Sequence, residues 1–156
     1  MLSKPKYGWT DFQLEGTSTY GLSYLDDIAF EWLDQAIHGL KTMQPFCVKG
    51  FLEPRRFLCM VSYWNCHIVI EDDERDLLEK DEIIVEYSHT SMLEFCKFLY
   101  HDIDEDIEEW AIFMDHGYDE NYPLVEKISL LREKLNTLKY LIISKEEYFG
   151  ANRCFL

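Results

Sequence analysis

Between Met92 and Met114 the apolar side chains fall at Met92, Cys96, Leu99, Ile103, Ile107, Trp110 and Met114, in unbroken steps of three and four. Only an α-helix gathers that spacing onto one face. The rest of the chain must therefore supply a surface that buries a long apolar stripe. Ser91 and Glu94 fit a capping box at its start, each satisfying the other's backbone N–H. His116 and Gly117 read as a last-turn cation followed by a left-handed glycine. A second stripe begins near Asn121, carries Pro123 in its first turn, and runs through Leu124, Ile128, Leu131, Leu135, Leu138 and Ile142. After Ile143 the period is lost, so a loosely attached tail is expected over 144–156, beside an ordered domain over 1–143.

The covering surface reads as a sheet. Trp9 to Leu14 alternates with period two, Glu15 to Thr19 supplies turn residues, and Tyr20 to Tyr24 returns. Asp26 and Asp27 offer N-caps to an early helix whose stripe is Ile28, Leu33, Ala36, Ile37 and Leu40. Strands follow in meander spacing at Phe46–Leu52, Arg56–Ser62, Cys66–Ile70 and Glu82–Tyr87. Arg56–Ser62 (RFLCMVS) is apolar at nearly every position, the mark of a strand covered on both faces. The charged run Glu71–Asp81 leaves its own local structure open, a helical turn at Asp76–Glu79 included. With 156 residues there is room for one domain. The expected class is α+β: a single domain with a mostly antiparallel sheet of about five or six strands, one early helix and two long C-terminal helices.

Charge is the compositional outlier, with 30 acids against 15 bases and a net charge of −15. It is segregated. Residues 69–121 hold nineteen acids and only Arg75, Lys80 and Lys97 as bases, whereas the two flanking segments are close to neutral. So acidic a body repels phosphate backbones and anionic lipid, which argues against nucleic-acid and membrane partners. Two acidic patches stand out. One is Glu71 to Asp76, with Asp72, Asp73 and Glu74 at its centre. The other is Asp102 to Glu109, where Asp102, Glu105, Asp106 and Glu109 are helical neighbours and Glu108 lies beside them. Ile103 and Ile107 belong to the core stripe, so these acids are expected to face solvent. Like charges at such spacings destabilise a helix by roughly 0.2–0.5 kcal/mol per pair, and no lysine lies four residues away. A solvated face and a face that receives a cationic partner both fit this pattern. At the hairpin tip before Cys66, Trp64 is a candidate aromatic anchor for such a partner.

Catalytic and metal motifs are absent from the pattern. Asp102-x-Asp104-x-Asp106 imitates the start of a calcium loop, but Ile107 stands where glycine is required and Phe113 where a bidentate Glu is required. The five histidines are scattered, Cys66 and His67 point to opposite strand faces, and there is no C-x-x-C, H-E-x-x-H or glycine-rich phosphate loop. No catalytic residue, metal or cofactor is therefore assigned. The five cysteines read as reduced core thiols. The opening MLSKPKYGWTDF lacks the apolar core of a signal peptide and no apolar stretch is long enough to span a bilayer, so a cytoplasmic protein is expected.

The opening K-Y-G-W-T-D-F together with Y-L-D-D-I resembles small bacterial proteins that travel with the immunity proteins of contact-dependent and other polymorphic toxin systems. What the resemblance implies is a stoichiometric inhibitor that binds one cognate basic toxin, commonly a nuclease. The acids of both patches and Trp64 would form its contact surface. A non-catalytic structural or adaptor module that self-associates or joins a larger assembly is the alternative, and a small enzyme with an undeclared site is the third possibility.

Overall fold

A computed structural model describes residues 1–72, 83–114 and 123–152. Ten elements follow in chain order: β1 (Trp9–Phe12), β2 (Tyr20–Ser23), α1 (Ile28–Thr42), β3 (Phe46–Phe51), β4 (Arg55–Val61), β5 (Cys66–Asp72), β6 (Ile84–Ser88), α2 (Met92–Glu105), α3 (Ile107–Ala111) and α4 (Leu124–Asn152). The class is α+β, as the periodicities require. The strands form two antiparallel sheets instead of one: the hairpin β1–β2 and the meander β3-β4-β5-β6. The separation has a local cause. Inward-facing Glu86 of β6 accepts hydrogen bonds from the Ser18 N–H (2.9 Å), the Ser18 hydroxyl (2.7 Å) and the Tyr20 hydroxyl (2.7 Å). The hairpin is thus bound to the inner face of the meander by side chains, not to its edge by backbone.

Helix α1 starts where the paired aspartates predict, with Asp27 accepting from the Phe30 N–H at 3.5 Å. It ends at Met43, which adopts a left-handed conformation and donates its N–H to the Gly39 carbonyl. Trp32 on α1 is fully buried and sits at the centre of the core. Its ring lies 5.6 Å from Phe12, 6.1 Å from Phe57 and 6.2 Å from Phe95, centroid to centroid, within the range of favourable aromatic pairs. Its indole N–H donates to the Lys49 carbonyl at 2.8 Å. Helix α4 lies against α1 and α2, burying Leu131, Leu135, Leu138 and Ile142. Ion pairs Lys134–Asp34 and Lys97–Glu146 flank it on either side. The helix continues to Asn152, past the point where its apolar period fades, and Leu124 at its start is exposed and not part of the core.

Two expectations need correction. Arg56–Ser62 is covered on one face only. Phe57, Cys59 and Val61 are buried, while Leu58 is half-buried and Met60 is 52% exposed. An all-apolar run shows that both faces of a strand are apolar; it does not show that both are covered. The long helix is also not continuous. It breaks at Asp106 (φ −120°, ψ 39°), because the indole N–H of Trp110 takes the Asp102 carbonyl at 3.0 Å, the acceptor that continued helix would offer to the Asp106 N–H. The apolar stripe then shifts by one residue, burying Phe113 and leaving Met114 41% exposed. The expected cap at His116–Gly117 lies outside the described residues.

Gly39 shows how tightly α1 is set on the meander. A Cβ at this position would stand 2.2 Å from a ring carbon of Phe46. Replacing a mid-helix glycine by alanine ordinarily stabilises by about 1 kcal/mol. Here Gly39→Ala is expected to destabilise by about 1–3 kcal/mol through overpacking, measured by urea denaturation. A stabilised variant would show that α1 can lift from β3 at no cost.

Candidate functional site

The acids of α2 and α3 gather into one shoulder around the break at Asp106, and the chain's opening segment runs across it. The Leu2 N–H donates to Asp102 Oδ2 at 2.7 Å, and the Met1 nitrogen stands 3.3 Å from the same oxygen. Lys4 Nζ sits between Asp106 Oδ1 at 2.9 Å and Glu109 Oε1 at 2.6 Å. Lysine is therefore present after all, supplied from about a hundred residues upstream instead of one helical turn away. Sequence spacing could not reveal it. The nearest signal was the basic opening K-P-K in an otherwise acid-rich chain.

The shoulder divides into two classes of carboxylate. Asp102, Asp106 and Glu109 are partly buried and already partnered. The hydrogen bond and charge of Lys4 hold the Glu109 carboxyl below its ordinary range, and the two carboxylates raise Lys4 in turn. Asp104, Glu105 and Glu108 are exposed. Asp104 accepts only a long hydrogen bond from the Tyr100 hydroxyl at 3.5 Å, and among the described residues no cation pairs with Glu105 or Glu108.

The other predicted contact residues are not gathered there. Trp64 is 69% exposed in the β4–β5 turn, while its neighbour Tyr63 folds back and donates its hydroxyl to the Met43 carbonyl at 2.5 Å. The Met92 N–H donates to the Tyr63 carbonyl, which fixes this turn at the start of α2. The shoulder stands at the other end of that helix, about 20 Å away at 1.5 Å per residue. Asp72 ends β5 paired with Arg55, at the opposite end of the meander from Trp64. Asp73 and Glu74 lie outside the described residues.

Two further features escaped the reading of the sequence. Asp26, expected only as a cap, is 9% exposed, and its Oδ2 is the one buried side-chain oxygen or nitrogen without a hydrogen-bond partner among the described residues. Burial pushes its carboxyl up, opposed by Lys49, and burial likewise raises Asp27 and Glu31 on the same helix turn. The second feature is an open cleft of about 480 Å³ between the β1–β2 loop and the start of α2, lined in part by Gln13, Glu15, His89, Glu94 and Phe98. Glu94 is committed to Ser91 in the capping box, accepting its N–H at 2.9 Å and its hydroxyl at 2.7 Å. Cys59, Cys66 and Cys96 are buried, and burial holds the Cys96 thiol in its protonated form. Among the described residues no group of three or more His, Cys, Asp or Glu side chains is placed to hold a metal ion, and no helix is long and apolar enough to cross a membrane. No protein-family model, curated protein or solved structure matches the chain.

These pKa shifts carry opposite signs of pH dependence. Glu109, held below its ordinary 4.5, contributes stability that is present above that pH and lost as pH falls through its depressed value. Lys4→Met is expected to return the Glu109 titration, followed by carboxyl NMR, to the ordinary range and to remove that acid-side contribution. An unmoved Glu109 would mean that the Lys4 contact is not held in solution. Asp26, raised by burial, does the reverse: it costs stability as pH rises from its unfolded value through its folded one. Asp26→Asn is expected to stabilise the protein more at pH 7 than well below pH 4, measured by urea denaturation at both pH values. Equal effects at both pH values would sink that assignment.

Proposed function

We propose that this chain is a stoichiometric inhibitor: a bacterial immunity protein, acting in the cytoplasm, that binds a cognate basic protein toxin and blocks it. The observation that carries the reading is the exposed set Asp104, Glu105 and Glu108, held at the helix break on a fully packed base. Ile103, Ile107 and Trp110 are buried directly beneath these acids, so the carboxylates are presented from a fixed backbone and little order need be gained on binding. The field of the acids steers a cationic surface and raises the association rate. A nuclease is the favoured toxin class, because a cleft that receives nucleic acid is itself cationic. Lys4 keeps Asp106 and Glu109 internally compensated, which confines the strongest uncompensated charge to the crest of the shoulder. Trp64, exposed at the other end of α2, gives the same partner an aromatic anchor that slows dissociation. Asp72, Asp73 and Glu74 are the remaining acids assigned to the contact.

The test begins by capturing partners of the tagged full chain from its source organism at low and high salt, then assaying whether the recovered basic protein is inhibited at one-to-one stoichiometry. Glu105→Lys with Glu108→Lys is expected to slow association by about tenfold or more and to flatten its salt dependence, without lowering the melting temperature. Lys4→Met, which uncovers two further carboxylates, is expected to speed association. Recovery of a basic partner that binds the double variant as fast as wild type would remove the shoulder from the interface. Failure of any captured protein to be inhibited would overturn the inhibitor reading itself.

A further inference from the structure

The open cleft of about 480 Å³ between the β1–β2 loop and the start of α2 has no part in the inhibitor reading. Its volume lies within the range of small-molecule sites. The frame around it is tied on both sides. The Ser88 hydroxyl donates to the Glu15 carbonyl at 2.9 Å and stands 2.9 Å from the Thr90 hydroxyl, while Gln13 Nε2 donates to the Thr17 carbonyl at 3.0 Å. Glu94 and Phe98 are one helical turn apart on the same side of α2, so a carboxylate and a ring share one wall. Phe98 is 45% exposed.

The hydrogen-bonding valences left open select the ligand. Gln13 has its nitrogen engaged, and its amide oxygen is open. Both Ser91 bonds fall on Glu94 Oε2, which leaves Oε1 open, and they hold that carboxyl below its ordinary range. Among the described residues no donor engages the Glu15 carboxylate. His89 Nδ1 stands 3.3 Å from the Tyr87 hydroxyl. The open side-chain oxygens are therefore all acceptors, and among the described residues no lysine or arginine lines the cleft. Ammonium and guanidinium groups carry donors and no acceptor, and an aromatic face attracts them. An anion is repelled by both carboxylates.

We infer that this cleft binds an organic cation, an ammonium or guanidinium group on a short apolar stem, with its head among Gln13, Glu15 and Glu94 and its stem along Phe98. The cation is either a free small molecule or the side chain of a basic protein, and the chemistry at the cleft is the same for both. Solvent-exposed charge pairs contribute little each, so a lone head and stem binds at about 1–10 mM. The inference stands apart from the inhibitor reading. It uses neither the shoulder acids nor Trp64 and is measured on the isolated protein.

Amide NMR shifts of the full chain test it, titrated at constant ionic strength with butylguanidinium and with butanol as the neutral control. The cation alone is expected to give saturable shifts at Gly16, His89, Thr90 and Phe98. Glu15→Gln and Phe98→Leu, both at exposed positions, are each expected to weaken binding by about threefold or more with unchanged thermal melting. Glu94 is left in place because it caps α2. A capped Gly-Arg-Gly tripeptide separates the two sources. Binding at least about tenfold tighter than butylguanidinium assigns the cation to a protein chain, and anything weaker assigns it to a free small molecule. No saturable shift up to about 50 mM butylguanidinium, equal shifts from butanol, or variants that bind as wild type overturn the inference. Shifts at Glu105 and Glu108 as large as those in the cleft overturn it too, because they report diffuse attraction to an acidic surface.

Discussion

The side chain of Trp32 is the point on which the remaining structure depends. It stands on α1, its ring packs on Phe12 of the hairpin, Phe57 of the meander and Phe95 of α2, and its N–H caps the Lys49 carbonyl on β3. Five elements thus meet on one indole. The N–H matters as much as the ring. β3 is an edge strand whose outward carbonyls have no neighbouring strand, and a buried unpaired carbonyl costs about 1–3 kcal/mol. By satisfying one of them, Trp32 lets α1 close over the edge and press Phe46 against Gly39.

What was legible in the sequence was what lies within one element. The period-two run at Trp9, the Asp27 cap, the Ser91–Glu94 capping box and the α4 stripe are local patterns, and each appears in the structure near its expected place. What was not legible was set by contacts between elements. The helix breaks at Asp106 because Trp110 reaches back for a carbonyl, and nothing in the spacing of Ile103, Ile107 and Trp110 announces that. The division of the strands into two sheets rests on Glu86, which looks like one more acid in an acidic third of the chain. Of the candidate contact residues, exposure of Glu105, Glu108 and Trp64 follows from their position opposite a core stripe or at a hairpin tip. The compensation of Asp106 and Glu109 does not, because their cation is remote in sequence.

That compensation changes how the charge should be regarded. A count of acids suggests a uniform negative helix face, yet the shoulder is graded. Its flank is bound to the opening segment and its crest is open. Partly buried carboxylates with fixed partners shape the backbone, and exposed ones set the field that an approaching molecule meets. The outer face of the meander differs from the shoulder: among the described residues its most exposed large side chains, Met60, Val85 and Tyr87, are uncharged, and its Arg56 and Glu71 pair with each other.

The ties of the opening segment have a consequence for how the fold closes. Leu2 bonds to Asp102, Lys4 to Asp106 and Glu109, and Ser18 and Tyr20 to Glu86. The hairpin itself needs only its neighbours: Ser3 donates to the Asp11 carbonyl, Gln13 to that of Met1, and β1 pairs with β2. Its docking needs partners remote in sequence, and contacts of that separation must close large loops before they gain anything. The hairpin is therefore expected to form early and to dock late.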